Sequence, residues 1–250
     1  LHAIPFTPVR IVSLVPHATV LLFALGLGDQ VVGVTHECDY PTAALELPHV
    51  TADRLPAGLS AAQIDAAVRE RTERGEAIYA LDDELLAELE PDLIVTQALC
   101  PVCAVSYDDV RAIAGRMEPE PRVIALDPST FGETIGDIRT ISDATGAKEA
   151  AFLLVASIAK RVEAVKRAVA GAPVVPVAAL EWLDPVFAAG HWTPQLVEMA
   201  GGVDVLGMPG EPSAQVSWEA VAAARPEVVA CMPCGYDLAR SLQEAEAHAP

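Results

Sequence analysis

Short apolar runs alternate with helix-patterned stretches along most of the chain. Residues 10–15, 31–35, 93–96 and 123–126 are runs of strand length rich in Val, Ile and Leu, and 49–51 offers a smaller one. The first is followed by a turn at Pro16 and a helical stretch over 18–27 that ends at Gly28. Ser60 predicts the N-cap of a helix over 61–74, and Asp82 or Asp83 that of a helix over 84–89, which Pro91 stops. Strands alternating with helices predict a parallel sheet built through right-handed crossovers, in a first lobe covering residues 8–130.

Residues 147–170 contain neither Pro nor Gly, and Phe152, Val155, Ile158, Val162 and Val165 recur every three or four positions. This predicts one helix of roughly 35 Å at about 1.5 Å per residue, long enough for a strut across two lobes, stopped by Gly171 and Pro173. Residues 131–172 are therefore assigned to a linker and this interlobe helix, and 173–250 to a second lobe. That lobe repeats the grammar: a strand over 174–180, a loop over 181–192, a helix over 194–200, a Gly201-Gly202 turn, a helix over 218–224 and a strand over 227–231. A closing strand and helix are expected after Leu242, and the eight residues that follow make the second sheet read as truncated. The predicted fold class is α/β, with two lobes, each holding a central, mainly parallel sheet, joined by one long interlobe helix.

Composition narrows the function. A hydrophobic fraction of 52% with 5% aromatics describes an aliphatic core suited to parallel strands under helices. The formal charge of −19, with 16 Lys and Arg in total, argues against nucleic acid and anionic membrane surfaces as partners. The longest apolar run, 18–34, is interrupted by Gly and Asp, so no membrane span is expected. Residues 1–10 lack a basic n-region and a long apolar h-region; the expectation is an extracytoplasmic mature protein if a signal peptide was removed, and a cytoplasmic one otherwise.

In open parallel sheets ligands bind beyond the carboxyl ends of strands, and those segments carry the reactive side chains here. The first run leads to Ser13, Pro16 and His17; the second to His36, Glu37, Cys38 and Tyr40; the third to Gln97, Cys100 and Cys103. The second lobe supplies Glu181, Trp182, Asp184, His191 and Trp192, then Cys231, Cys234 and Tyr236. All are expected to converge on a single cleft and to contact a small molecule or metal complex. Trp182 and Trp192 offer flat faces to a ligand ring. His36, Cys38, Cys100, Cys103, Cys231 and Cys234 form an alternative soft-metal set for zinc, copper or an iron–sulfur cluster. A thiol redox enzyme built on Cys38 beside His36 is a further alternative. The chain has no phosphate loop, no Gly-x-Ser-x-Gly elbow and no His-Glu-x-x-His helix, and the reading is of a binding protein rather than an enzyme.

Several segments carry a family resemblance: Arg10-Ile-Val-Ser13-Leu, Ala24-Leu-Gly26-Leu-Gly28, Val32-Gly33-Val34, Asp39-Tyr40-Pro41, Glu90-Pro91-Asp92-Leu93-Ile94-Val95, Asp184-Pro185, Gly201-Gly202 and Val216-Ser217. Together with the lone interlobe helix they resemble the class III periplasmic (transporter substrate-binding) proteins, and within them the cobalamin-binding members. The resemblance implies two lobes that clamp a cobalamin, another corrinoid or a related metal-containing ligand and deliver it to the membrane subunit of a transporter. It also implies that Glu84 docks onto that subunit. The family's aromatic contacts to the corrin fall here on Glu37 and Asp53, which cannot stack, leaving Trp182 and Trp192 as substitutes.

Overall fold

The strands form where Val, Ile and Leu run together, because such runs can be covered on both sheet faces while their backbone groups pair with neighbours. The computed structural model describes residues 9–98 and 105–248. In chain order it shows β1 (Ile11–Ser13), α1 (Pro16–Ala24), β2 (Val31–Val34), β3 (Thr51–Asp53), α2 (Ala61–Glu73), β4 (Tyr79–Leu81), α3 (Asp83–Glu88), β5 (Leu93–Thr96), α4 (Tyr107–Ala114) and β6 (Arg122–Ala125). There follow α5 (Phe131–Thr145), α6 (Lys148–Val169), β7 (Val175–Leu183), β8 (Val186–Ala188), α7 (Thr193–Met199), β9 (Gly202–Asp204), β10 (Ala214–Gln215), α8 (Trp218–Ala224), β11 (Val228–Cys231) and α9 (Leu238–His248). They divide between two units, one of Leu1–Pro56, Glu70–Asp127 and Asp137–Leu154, the other of Ala57–Arg69, Pro128–Gly136 and Val155–Pro250.

The first unit holds a sheet in the order β2-β1-β5-β6, and every pair in it is parallel. All four carboxyl ends therefore lie along one edge. Ile11, Val12, Ile94 and Val95 are fully buried. The pleat sends Val12, Leu14 and Ile94 to one face, where they pack with Val50, Leu86, Val105, Val110 and Ala114. Gly33 in β2 is needed for close packing, since a Cβ there would come within 2.7 Å of Leu89 Cδ1 and 3.2 Å of Val50 Cγ1. Pro16 opens α1, where a missing N–H costs nothing. Asp82 caps α3, its side chain accepting the Leu85 N–H at 2.9 Å, an interaction typically contributing about 1 kcal/mol. β3 and β4 form a small antiparallel pair beside this sheet.

The second unit's sheet is parallel about β7 and adds an antiparallel edge. β7 pairs in parallel with β11 on one side and with β9 on the other, but the chain reverses at Asp184 and Pro185, and β8 returns antiparallel along β7 with β10 antiparallel beyond it. The sheet is mixed. Glu181 and Trp182 accordingly belong to β7 rather than to a loop, because β8 supplies hydrogen-bond partners that extend the strand to Leu183. The core of this unit packs Ala178, Leu180, Leu183, Val186 and Val221.

The expected long helix is α6, of 22 residues, whose residues fall in both units. The segment before it is not an irregular linker: α5 runs for 15 residues there and buries Ile138 and Ile141. Residues 243–248 continue α9. Among the described residues no helix is long and apolar enough to cross a membrane.

Because Ile94 is fully buried at the centre of the first sheet, Ile94→Ala should cost about 2–5 kcal/mol of stability in urea unfolding. Leu153→Ala on α6, where the side chain is 60% exposed, should stay within about 0.5 kcal/mol.

Candidate functional site

At the carboxyl edge of the first sheet the backbone turns directly from strand into a linked set of polar side chains. Ser13 ends β1 fully buried and accepts the Thr19 hydroxyl at 2.8 Å. Thr19 lies on α1, so this bond ties the helix to the strand. The Cys38 thiol lies 3.0 Å from Thr19 Oγ1 and joins the same group. Burial pushes the Cys38 thiol up in pKa, and its bonds to Thr19 and to the Thr35 backbone only partly oppose that. A thiol held in its protonated form is neither a ready nucleophile nor a ready metal ligand.

One residue beyond β2 a second set begins. His36 Nδ1 lies 2.7 Å from Thr51 Oγ1, the His36 backbone N–H donates to the same oxygen at 3.0 Å, and the Thr51 hydroxyl donates to Thr35 Oγ1 at 2.8 Å. Thr35 and Thr51 are both buried. Tyr79 of β4 donates its hydroxyl to Glu37 at 3.2 Å, and its ring lies 5.4 Å from the His36 ring. Burial raises the Glu37 carboxyl pKa, while nearby His36 and the Tyr79 hydrogen bond lower it and Asp53 raises it further. His17, at the start of α1, meets Asp137 of α5 at 2.9 Å. Gln97 follows β5, nearly buried, and Tyr40 is 67% exposed beyond the Thr35–Cys38 turn. Pro16 starts α1 and serves the backbone.

In the second unit β7 and β11 run parallel, so Trp182 and the segment following Cys231 share one edge. The pairing of β7 with β8 shifts register between Leu180 and Trp182, an irregularity of the kind that re-aims side chains. Trp182 donates its indole N–H to the Asp184 carbonyl at 3.0 Å, and its ring lies 5.1 Å from that of Tyr236. The Arg240 guanidinium stands 3.7 Å over the Tyr236 ring, donates to the Tyr236 hydroxyl at 2.8 Å and reaches the Leu59 carbonyl at 2.9 Å. Burial raises the Tyr236 pKa, with Arg240 opposing. Cys234 is exposed and its backbone N–H donates to the Glu181 carbonyl; Cys231 is half-buried, with its thiol pKa raised by burial.

His191 and Trp192 sit elsewhere in this unit, at the start of α7, their rings 6.0 Å apart. His191 has φ of 52°, its backbone N–H donates to the Glu211 carbonyl at 2.6 Å, and its Nδ1 is buried without a hydrogen bond among the described residues. Such strain in a non-glycine residue persists only where the surroundings hold it.

The structure thus brings His36 and Glu37 together with Thr51 and Tyr79, Ser13 with Cys38, and Trp182 with Tyr236. Cys38 belongs to the first unit, and Cys231 and Cys234 to the second. Cys100 and Cys103 lie outside the described residues. Among the described residues no group of three or more His, Cys, Asp or Glu is placed to hold a metal ion. Sequence reasoning passed over Thr51, Tyr79, Asp137 and Arg240. The first two sit on three-residue strands too short to carry a pattern, while Arg240 had a local signal in Asp237, whose side chain accepts the Arg240 backbone N–H. It also passed over an open cavity of about 550 Å³ in the second unit, bordered by Ser60, Gln63, Asp237, Arg240 and Glu244.

A family model described as periplasmic binding protein matches residues 11–248. The vitamin B12-binding protein of Vibrio cholerae serotype O1 is 26% identical over 233 residues, covering 92% of this chain and 72% of the relative. Among solved structures, the apo periplasmic heme-binding protein RhuT from Roseiflexus sp. RS-1 superposes with a TM-score of 0.65 at 24% identity, and the periplasmic heme-binding protein HutB of Vibrio cholerae with 0.66 at 19%. Both cover 89% of this chain and 76% of the other.

The Glu37 environment sets a pH signature. Its folded pKa is raised, so the native state keeps this proton at pH values where the unfolded chain has lost it. The resulting penalty is absent below the ordinary carboxylate range and complete once pH exceeds the raised value. Glu37→Gln, which retains an acceptor for Tyr79, should therefore be more stable than the parent at pH 7, with the difference closing in acid. Urea unfolding at both pH values checks this; a difference independent of pH would contradict it.

Proposed function

This chain belongs to the periplasmic binding protein family, and we propose that it captures cobalamin or another corrinoid for a membrane transporter. The observation that carries this reading is the alignment of 92% of the chain with a protein named for binding vitamin B12. The chemistry of the strand ends supports a corrinoid over a haem. Haem presents ionised propionates, whereas a corrin rim presents neutral amides. The strand-end segments carry Glu37, Asp39, Glu181 and Asp184, and Arg240 is engaged with Tyr236 and the Leu59 carbonyl. A carboxylate-rich surface repels propionates and accepts hydrogen bonds from amides.

The Trp182 and Tyr236 rings supply an apolar surface at the edge of the second unit's sheet, of the kind that packs against a flat macrocycle, and Glu181 and Asp184 flank it with acceptors. The polar edge of the first unit, with Ser13, His36, Glu37 and Gln97, is the second candidate ligand surface. Residence in the periplasm, stated in the names of the related structures, is part of the same proposal.

Glu84 is exposed in the first turn of α3, positioned to meet a basic partner surface. We assign it to docking on the transporter's membrane subunit.

Calorimetric and absorbance titrations of purified protein with cobalamin and with ferric haem test ligand class. Cobalamin is expected to bind, and absence of both heat and spectral change at micromolar protein would remove it. Trp182→Ala should weaken binding by roughly tenfold, about 1.4 kcal/mol. Glu84→Lys should abolish transport in reconstituted vesicles and leave ligand affinity unchanged; a matching loss of affinity would contradict a docking role.

A further inference from the structure

Residues 57–69 lie between β3 and β4 in the chain but group with the second unit, and two arginine contacts tie them there. Near the start of this segment the Arg240 guanidinium of α9 donates to the Leu59 carbonyl at 2.9 Å; at its end Arg69 donates to Gln215 Oε1 of β10 at 2.8 Å. Apolar packing adds little to the attachment. Ala61 is the one α2 side chain buried among the described residues, and an open cavity of about 550 Å³ lies around the Arg240 bond, between Ser60 and Gln63 on one side and Asp237 and Glu244 on the other. A charge-assisted hydrogen bond therefore holds this end of the segment.

The same guanidinium holds Tyr236. It stands 3.7 Å over the ring centre, and its Nη2 donates to the Tyr236 hydroxyl at 2.8 Å as well as to Leu59. A guanidinium donates and never accepts, so these roles are fixed, and both Nη2 protons are committed. The Arg240 backbone is fixed too, its N–H donating to Asp237 Oδ1 at 2.8 Å. Tyr236 itself lies between Gly235, at φ of 71°, and the start of α9, outside any helix or strand, so side-chain contacts orient its ring. Those contacts are Arg240 and the Trp182 ring 5.1 Å away. We infer that Arg240 is a positioning residue for the second unit's ligand surface: it holds Tyr236 beside Trp182 and couples that ring to the attachment of residues 57–69. A ring fixed before the ligand arrives has little freedom left to lose when a macrocycle packs on it, so Arg240 strengthens binding without touching the ligand. This inference rests on the proposal that Trp182 and Tyr236 face the ligand. Lysine cannot substitute, because an ammonium lacks the planar fork that spans ring, hydroxyl and carbonyl together.

Ligand-free protein tests the coupling first. With carbon-13 in the tyrosine rings and the Tyr236 signal assigned through Tyr236→Phe, NMR of the parent should show that signal displaced by the neighbouring Trp182 ring. Arg240→Ala and the charge-preserving Arg240→Lys should both move it toward the position of a free tyrosine. Amide hydrogen exchange over residues 57–64 should quicken about tenfold or more in Arg240→Ala. Arg69→Ala should loosen residues 65–69 and leave the Tyr236 signal in place. An unmoved Tyr236 signal and unchanged exchange in both Arg240 variants would overturn the inference without touching the proposed function. Calorimetric titration with cobalamin then separates positioning from direct contact. Arg240→Ala should bind about fivefold more weakly than the parent, yet cost nothing further in a Tyr236→Ala background. An undiminished cost in that background would show Arg240 meeting the ligand itself, and an unchanged affinity despite a moved ring would show that the ring's position does not matter; either would overturn positioning. Failure of the parent to bind cobalamin would remove the proposed ligand and leave the ring signal and the exchange to decide the coupling.

Discussion

Parallel pairing of β1 with β5, both buried on their two faces, is the constraint from which the first unit follows. A parallel strand cannot be reached by a tight turn, so each return to the sheet needs a crossover, and the crossovers leave every carboxyl end on the same edge. Ser13, Thr35, Thr96 and Gln97 are gathered there by topology, although up to 84 positions separate them in the chain. Burial excludes water from the hydroxyls of Ser13, Thr19, Thr35 and Thr51, which satisfy one another, so that Thr19, Ser13 and Cys38 form one linked group and Thr51, Thr35 and His36 another, whereas Thr96 Oγ1 has no hydrogen-bond partner among the described residues.

The second unit reaches a strand-end surface by a different route. Its sheet is mixed, and the antiparallel return of β8 carries β7 past the point where β9 leaves it. The added length brings Trp182 opposite the segment after β11, where Tyr236 meets it and Arg240 covers Tyr236. The two strand-end surfaces differ in chemistry as a result. One is a hydroxyl and imidazole network, the other an aromatic pair under a guanidinium.

The alternative of a thiolate chemistry loses force through burial. Cys38 is 1% exposed with its thiol engaged by Thr19, and Cys231 is pushed toward the neutral form by the same desolvation. Among the described residues no cationic neighbour lowers the pKa of either thiol.

The sequence by itself determined the elements whose physics is local. The Val-Ile-Leu runs of β1, β2 and β5 announced buried parallel strands, the uninterrupted spacing between Lys148 and Val169 announced α6, and the apolar run ending at Val34 placed His36 and Glu37 at a strand end. It also carried the family, through segments such as Glu90-Pro91-Asp92-Leu93. It did not disclose α5, where Gly132 and Gly136 dilute the helical signal, nor β4 and β8, three residues each, which exist because a neighbour pairs with them, and the small run at 49–51 met β3 only at Thr51. Nor did it disclose that Thr51 and Tyr79 complete the surroundings of His36 and Glu37, or that Arg240 covers Tyr236. Those partners come from separate strands and helices, and a hydrogen bond between residues 15 or 42 apart leaves no periodicity to read. The burial of Glu37 and the raised pKa it causes are properties of packing, so only the tertiary structure decided them.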